Sequence, residues 1–268
     1  MKRYITFIIL LMLAFSGRVN AQGEIKIKVN GRTVPMDTNP YISNNHTLVP
    51  IRFVAEALSA DKVLWDEEAR NVFIKYGDDT INFKIDSSKA LVSGEEVNLK
   101  TPARIKNNRT YVPIRFVAEN MGAKVEWKES DRVITIEKSD VDIDIPYSED
   151  ELFWLSRIIH AEARGEPYSG KLAVGNVVLN RVESDQFPDT IYGVIFDRKN
   201  GVQFTPVADG SIYNNPLNQC IYAAHRALRG ENVIGDALFF CNPKTSTNSW
   251  IMNNRVLLSK IGKHNFYL

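Results

Sequence analysis

Two cysteines in 268 residues cannot make a disulfide-dense scaffold. Charge of one sign is also missing. Lys and Arg number 33 against 32 Asp and Glu, a formal +1, so the chain has no electrostatic footprint for nucleic acid or for an anionic membrane surface. H-E-x-x-H and G-x-S-x-G are absent, which leaves a zinc protease and a serine hydrolase unsupported. The H-x-E of His160-Ala161-Glu162 lacks the P-C-x-x-C of the zinc deaminases, because Cys220 and Cys241 stand 21 apart. A Cys220–His225 dyad fails on direction, since five residues along a helix turn the two side chains more than about 100° apart. What is present, 44% apolar and 24% charged residues, describes a folding chain of one or two domains with adequate cores.

The one long apolar run lies at the start. Lys2 and Arg3, then Tyr4 to Phe15 broken by Thr6, then Val19-Asn20-Ala21, read as a secretory signal peptide over 1–21. About a dozen residues is short of the roughly 20 that cross a bilayer, so no membrane span is expected after cleavage. Cleavage removes Lys2, Arg3 and Arg18 and no acid, taking the formal charge from +1 to −2. Export would place Cys220 and Cys241 where a disulfide is permitted; two buried free thiols are the alternative.

Residues 24–138 repeat. Thr47-Leu-Val-Pro-Ile-Arg-Phe-Val-Ala-Glu56 returns as Thr110-Tyr-Val-Pro-Ile-Arg-Phe-Val-Ala-Glu119, 63 residues on, and Gly31 and Asn44-Asn45 return as Gly94 and Asn107-Asn108. A one-residue deletion then sets Trp65 against Trp127. Each copy predicts a tight hairpin, an extended stretch, a short helix after Val-Pro and a β-rich tail such as Arg132–Glu137. The fold class expected here is a duplicated small α+β, β-rich module with Trp65 and Trp127 in its core and Tyr41 and Tyr111 exposed. The segment resembles the copper amine oxidase N-terminal-like domain of exported proteins, which implies a stalk or a contact with cell-wall polymer. His46 is its only histidine and it holds no cysteine, so no ligand set for copper is expected. A linker, 139–147, follows; Asp140, Asp142 and Asp144 lack the Gly and Glu of a calcium loop.

The chemistry is expected in 148–268. Ser148-Glu-Asp-Glu151 is a capping box that starts a helix running to Gly165. At 100° per residue Glu162 falls within about 60° of Leu155, Ile158 and Ile159, so its carboxylate projects from the apolar stripe near the negative end of the helix dipole. Both placements raise a carboxyl pKa, as a general acid requires; an ordinary ion pair with Arg157 or Arg164 is the alternative. Lys171–Glu183 and Pro216–Gly230 read as further helices, Gly201–Gly210 as a hairpin beside a cleft, and Ala237–Pro243 as a short strand. Asn176 and Asn180 share a helix face, to meet sugar hydroxyls or to cap turns.

Ile159-His-Ala-Glu-Ala-Arg-Gly-Glu-Pro167, Val177-Val-Leu-Asn-Arg-Val182, Gln203-Phe-Thr-Pro-Val-Ala-Asp-Gly210, Ala237-Leu-Phe-Phe-Cys-Asn-Pro243 and Ile261-Gly-Lys-His-Asn-Phe266 resemble, in order, the blocks of the SleB-type cell wall hydrolases, the spore cortex-lytic enzymes. The resemblance implies an α+β, lysozyme-like helical catalytic domain acting on peptidoglycan glycan strands as a lytic transglycosylase, with no cofactor and no metal. It puts the catalytic glutamate on Glu162, with Gln203, Phe204, Thr205, Tyr213 and Asn242 expected along the sugar cleft. An N-acetylmuramidase-type hydrolase would need a second carboxylate, Glu166 or Asp209. A non-catalytic wall-binding protein is the competing class.

Overall fold

The computed structural model describes residues 23–139, 146–199, 201–246 and 250–268, so the segment expected to be a signal peptide and most of the expected linker lie outside the described residues. The N-terminal region opens with strands β1 (Lys26–Val29), β2 (Arg32–Thr33), β3 (Tyr41–Ser43) and β4 (His46–Pro50), helix α1 (Ile51–Ala57), and strands β5 (Lys62–Asp66) and β6 (Asn71–Tyr76). After β7 (Asp79–Lys84) come β8 (Lys89–Val92), β9 (Glu95–Asn98), β10 (Arg104–Lys106), β11 (Arg109–Pro113), α2 (Ile114–Asn120), β12 (Lys124–Lys128) and β13 (Val133–Glu137). Two-residue turns join β1 to β2, β3 to β4, β8 to β9 and β10 to β11. Both residues of each turn have positive φ, as in Asn44 and Asn45 at 48° and 59°, the backbone twist that Asn and Gly tolerate.

Three sheets result. β4 and β11 pair antiparallel in the middle of the first, Val49 opposite Val112. In the second, β1 runs parallel to β13, so the first and last strands of the region close on each other. The third runs β5 to β9 in order. Ile27, Val54, Ile74, Phe83, Val117 and Ile136 fill the shared core.

Two aromatic expectations fail here. Trp65 shares a face with the half-buried Val63 but stands where the sheet outruns the core, and its ring is 44% exposed. Tyr111, expected at the surface, is buried, its hydroxyl between Thr38 and the Asn39 carbonyl. Trp127 is half-buried.

The second core belongs to helices α3 (Glu149–Ala163), α4 (Tyr168–Val182), α5 (Ile191–Phe196), α6 (Thr205–Asp209) and α7 (Asn218–Leu228), followed by β14 (Phe239–Cys241), α8 (Trp250–Asn254), β15 (Leu257–Ile261) and β16 (His264–Tyr267). Both halves of the Ser148/Glu151 capping box are formed, which fixes the start of α3. Three-stranded β14-β16-β15 leans on α4. Gly175 lets the helices approach; a Cβ there would stand 2.9 Å from Ile159 Cδ1.

Asn176 and Asn180 take the turn-bracing role. Asn176 Nδ2 donates to the Glu231 carbonyl (2.7 Å) and Asn180 Nδ2 to those of Gly235 and Ala237. Arg181, also on α4, donates to the Leu238 carbonyl and lies against Phe187, Phe204 and Phe239. Gly201–Gly210 is no hairpin. Pro206 preorganises the first turn of α6 and Gly210, at φ 80°, ends it, so local backbone chemistry overrides the Gly-bounded pattern. The mean of the whole is mixed α+β, and no described helix is long and apolar enough to cross a membrane.

Candidate active site

Glu162 sits in the last turn of α3, beside the buried Leu155, Ile158 and Ile159, and its side chain is half-buried. Its position is fixed from two residues back: His160 Nδ1 accepts the Leu217 backbone N–H at 3.2 Å, tying α3 to the entry of α7. Burial, then the positive Arg164, lower the His160 pKa, which favours the neutral ring that accepting this N–H requires. Neither expected arginine holds Glu162. Arg157 lies over the Phe153 ring at 3.7 Å, Arg164 is exposed, and the Glu162 carboxyl makes no ion pair or hydrogen bond among the described residues. Burial first, and the negative Asp209 second, push it up to about 7. An unpaired carboxyl there is half protonated near neutral pH, ready to give and take a proton.

Asp209, at the end of α6, is exposed and stays ionised: the Ser211 hydroxyl and backbone N–H, the latter at 2.8 Å, hold its pKa down. Its charge is the one that reaches Glu162 from outside α3. Asp209→Asn is therefore expected to lower the Glu162 pKa and move the alkaline limb of the pH–activity profile to lower pH. Added salt, which screens the same pair, should move it the same way in the native chain and much less in the variant.

Glu166 has another role. It is 9% exposed, its Oε2 accepts the Lys263 backbone N–H at 2.8 Å, and its carbonyl accepts from buried Lys171 Nζ. It pins the β15–β16 hairpin to the α3–α4 turn, a direction that the Gly165 break hid from the sequence.

The expected cleft residues divide. Phe204, at 2% exposed, is a core residue, because the α6 turn faces its ring inward to Arg181 and Phe240. Thr205 is exposed at the start of α6, and Tyr213, 64% exposed, follows Asp209 by four residues. Gln203 is half-buried, its Nε2 3.4 Å from the Gly201 carbonyl; Asn242 closes a turn by accepting the Lys244 N–H at 3.0 Å. Sequence reasoning missed an aromatic row leading from Tyr213. Its ring centroid is 6.3 Å from Trp154, which stands 5.3 Å from Tyr192 and 5.1 Å from Phe196. The adjacent Phe153-Trp154 pair and the i, i+4 spacing of Tyr192 and Phe196 were the available signal.

Cys220 and Cys241 are free and buried in different neighbourhoods, Cys220 beside His160 and Cys241 beside the Tyr267 hydroxyl. Among the described residues no three His, Cys, Asp or Glu side chains gather as a metal site. His46 turns its Nδ1 to the Asn44 carbonyl at 2.6 Å, so the residues present do not fit a copper ion.

Known proteins align with both halves. The family profile described as "Cell Wall Hydrolase" matches residues 165–267, starting just past Glu162, and "Copper amine oxidase N-terminal domain" matches 28–136. A spore cortex-lytic enzyme of Bacillus cereus is 43% identical over 120 residues, 45% of this chain and 45% of that protein. The chain thus spans under half the length of that relative. The cell wall hydrolase CwlJ of Oceanobacillus iheyensis is 30% identical, over 37% of this chain and 74% of that protein. Among solved structures, the catalytic domain of the germination-specific lytic transglycosylase SleB from Bacillus anthracis is 41% identical, covering 48% of this chain and 100% of that one, with a TM-score of 0.43.

Proposed function

The chain belongs to the cell wall hydrolase family, and on that footing we propose that it is a peptidoglycan-cleaving enzyme, a lytic transglycosylase with Glu162 as its single acid and base. The observation that carries the proposal is the half-buried Glu162 carboxyl, without a partner among the described residues and with its pKa near neutrality. Protonated Glu162 gives its proton to the oxygen between N-acetylmuramic acid and N-acetylglucosamine, and that C–O bond breaks. As a carboxylate it then takes the proton of the muramic C6 hydroxyl, whose oxygen closes on the anomeric carbon as a 1,6-anhydro end. The cation between the two steps is stabilised by the substrate's own acetamido group, so no second enzymic acid is required.

In this reading Thr205, Tyr213, Gln203 and Asn242 border the glycan, with Phe204 supporting them from the core. The helical half is read as lysozyme-like, and residues 1–21 as an export signal that delivers the enzyme to cell wall or spore cortex. The N-terminal region is read as a duplicated module, supported by the sequence repeat and by the equal seven-residue helices after each Val-Pro.

The test is the mass of muropeptides released from purified wall and cortex. Non-reducible ends one water lighter than hydrolysis products are expected; reducible ends would favour a muramidase-type hydrolase. That second reading has one structural support, Asp209, whose charge reaches Glu162, whereas Glu166 is already engaged.

A further inference from the structure

Trp-x-Glu-x-x-Arg occurs twice in the N-terminal region, as Trp65, Glu67 and Arg70 and again as Trp127, Glu129 and Arg132. The second trio closes on itself. The Trp127 indole N–H donates to Glu129 Oε2, and the Arg132 guanidinium lies 5.9 Å from the centre of the indole ring. The first trio is open. Arg70 turns away to Asp86 at 3.3 Å, Glu67 is exposed, and the Trp65 indole N–H donates to no group among the described residues. The same three side-chain types therefore gather in one place, whereas in the other Arg70 pairs elsewhere and the Trp65 indole N–H and the Glu67 carboxylate are left without a partner among the described residues.

The open trio faces a cleft of about 1140 Å³ between the N-terminal region and the helical domain. Trp65, Glu67 and Arg52 line it from one side, and Tyr168, Gln219 and Tyr222 from the other. The walls are joined at one end, where Tyr222 meets the Phe53 ring edge-on at 4.8 Å and Arg226 approaches Glu56 at 3.9 Å. Carboxylates and guanidiniums line the cleft in equal number, four of each, so it offers no net attraction to a polyanion such as a phosphate polymer. An exposed indole beside unpaired donors and acceptors suits a neutral ligand with one apolar face and many hydroxyls.

We propose that this cleft is a second glycan site, in which Trp65 stacks on an N-acetylhexosamine ring and Glu67 and Arg52 bond its hydroxyl and acetamido groups. The choice of glycan rests on the wall-polymer reading of the helical domain; the opened trio and the cleft do not. The site would hold a strand on the enzyme independently of Glu162.

The test measures sedimentation of the full chain with insoluble glycan strands stripped of their stem peptides, in a Glu162→Gln background so that the strands persist. Trp65→Ala is expected to weaken binding about tenfold, and Trp127→Ala, the same lesion at the closed trio, to leave it unchanged. Glu67→Gln, an exposed and isosteric change, should also weaken it and guards against a folding defect in Trp65→Ala. Unchanged binding by both cleft variants overturns the proposal. So does an equal loss in Trp127→Ala, or binding that requires the stem peptides. Strands bound through Trp65 by a wild-type chain that cleaves none of them would support the site and overturn the catalytic reading separately.

Discussion

Glu162→Gln is expected to reduce release of muropeptides about 10²–10⁴-fold, the usual contribution of a positioned general acid and base. Gln keeps the shape and hydrogen-bonding ends of the side chain and removes only the proton that moves. The same substitution should stabilise the domain at alkaline pH. In the folded chain the Glu162 pKa is raised to about 7 by burial and by Asp209, above its ordinary value of 4.5. The unfolded chain loses that proton first as pH rises, so the penalty for holding a carboxylate in this site grows between 4.5 and 7 and is complete above. Gln abolishes it, a gain on the order of 1–3 kcal/mol at pH 8 and none at pH 4. Calorimetry at the two pH values checks this. A variant that is inactive and less stable at pH 8 would instead mean that Glu162 holds the fold together.

Gly262→Ala is expected to destabilise the helical domain by about 2–4 kcal/mol, more than a surface turn normally would. Gly262 has φ 60°, where a Cβ is strained, and that Cβ would fall inside van der Waals contact with Glu166 Oε2. The carboxylate would have to leave, abandoning the Lys263 N–H it accepts while remaining buried. Thermal unfolding of the variant measures the loss. The ratio of 1,6-anhydro to reducing ends should not change, because Glu166 braces the hairpin instead of activating water. A switch in product type would return Glu166 to the chemistry.

Much of this was legible along the chain because it depends on neighbours in sequence. The capping box at Ser148 starts α3 as read, since both its bonds are made within one turn. The placement of Glu162 on the apolar stripe followed from helical period alone, and the structure adds the charge of Asp209, brought from 47 residues away. The hairpin expected in each copy forms at Asn30-Gly31 and Ser93-Gly94, whose positive φ values few other residues accept, while Asn44-Asn45 and Asn107-Asn108, read only as part of the repeat, close a second tight turn within the stretch expected to be extended. Gly201–Gly210 misled for a related reason. Its glycines bound a turn-rich stretch, but Pro206 in the first helical turn and the left-handed Gly210 at the end make a short helix of it, with Phe204 just before it packed into the core.

Trp65 and Trp127 show where local reading stops. Both stand in the same sequence pattern, and both were expected in a core. Whether an indole is covered depends on where its sheet ends and on what lies opposite, and here one trio closes while the other opens on a neighbouring domain. Alternation specifies a face, while coverage needs a partner distant in sequence. The sequence by itself determined the repeat, its hairpin and the short helix after each Val-Pro, the three long helices of the second half and the acid on the apolar stripe, all set by interactions a few residues long. The tertiary structure decided that Glu162 has no ion-pair partner among the described residues, that Glu166 is a brace, that Phe204 is core and that Trp65 is open, because each depends on contacts between segments that meet only when the chain has folded.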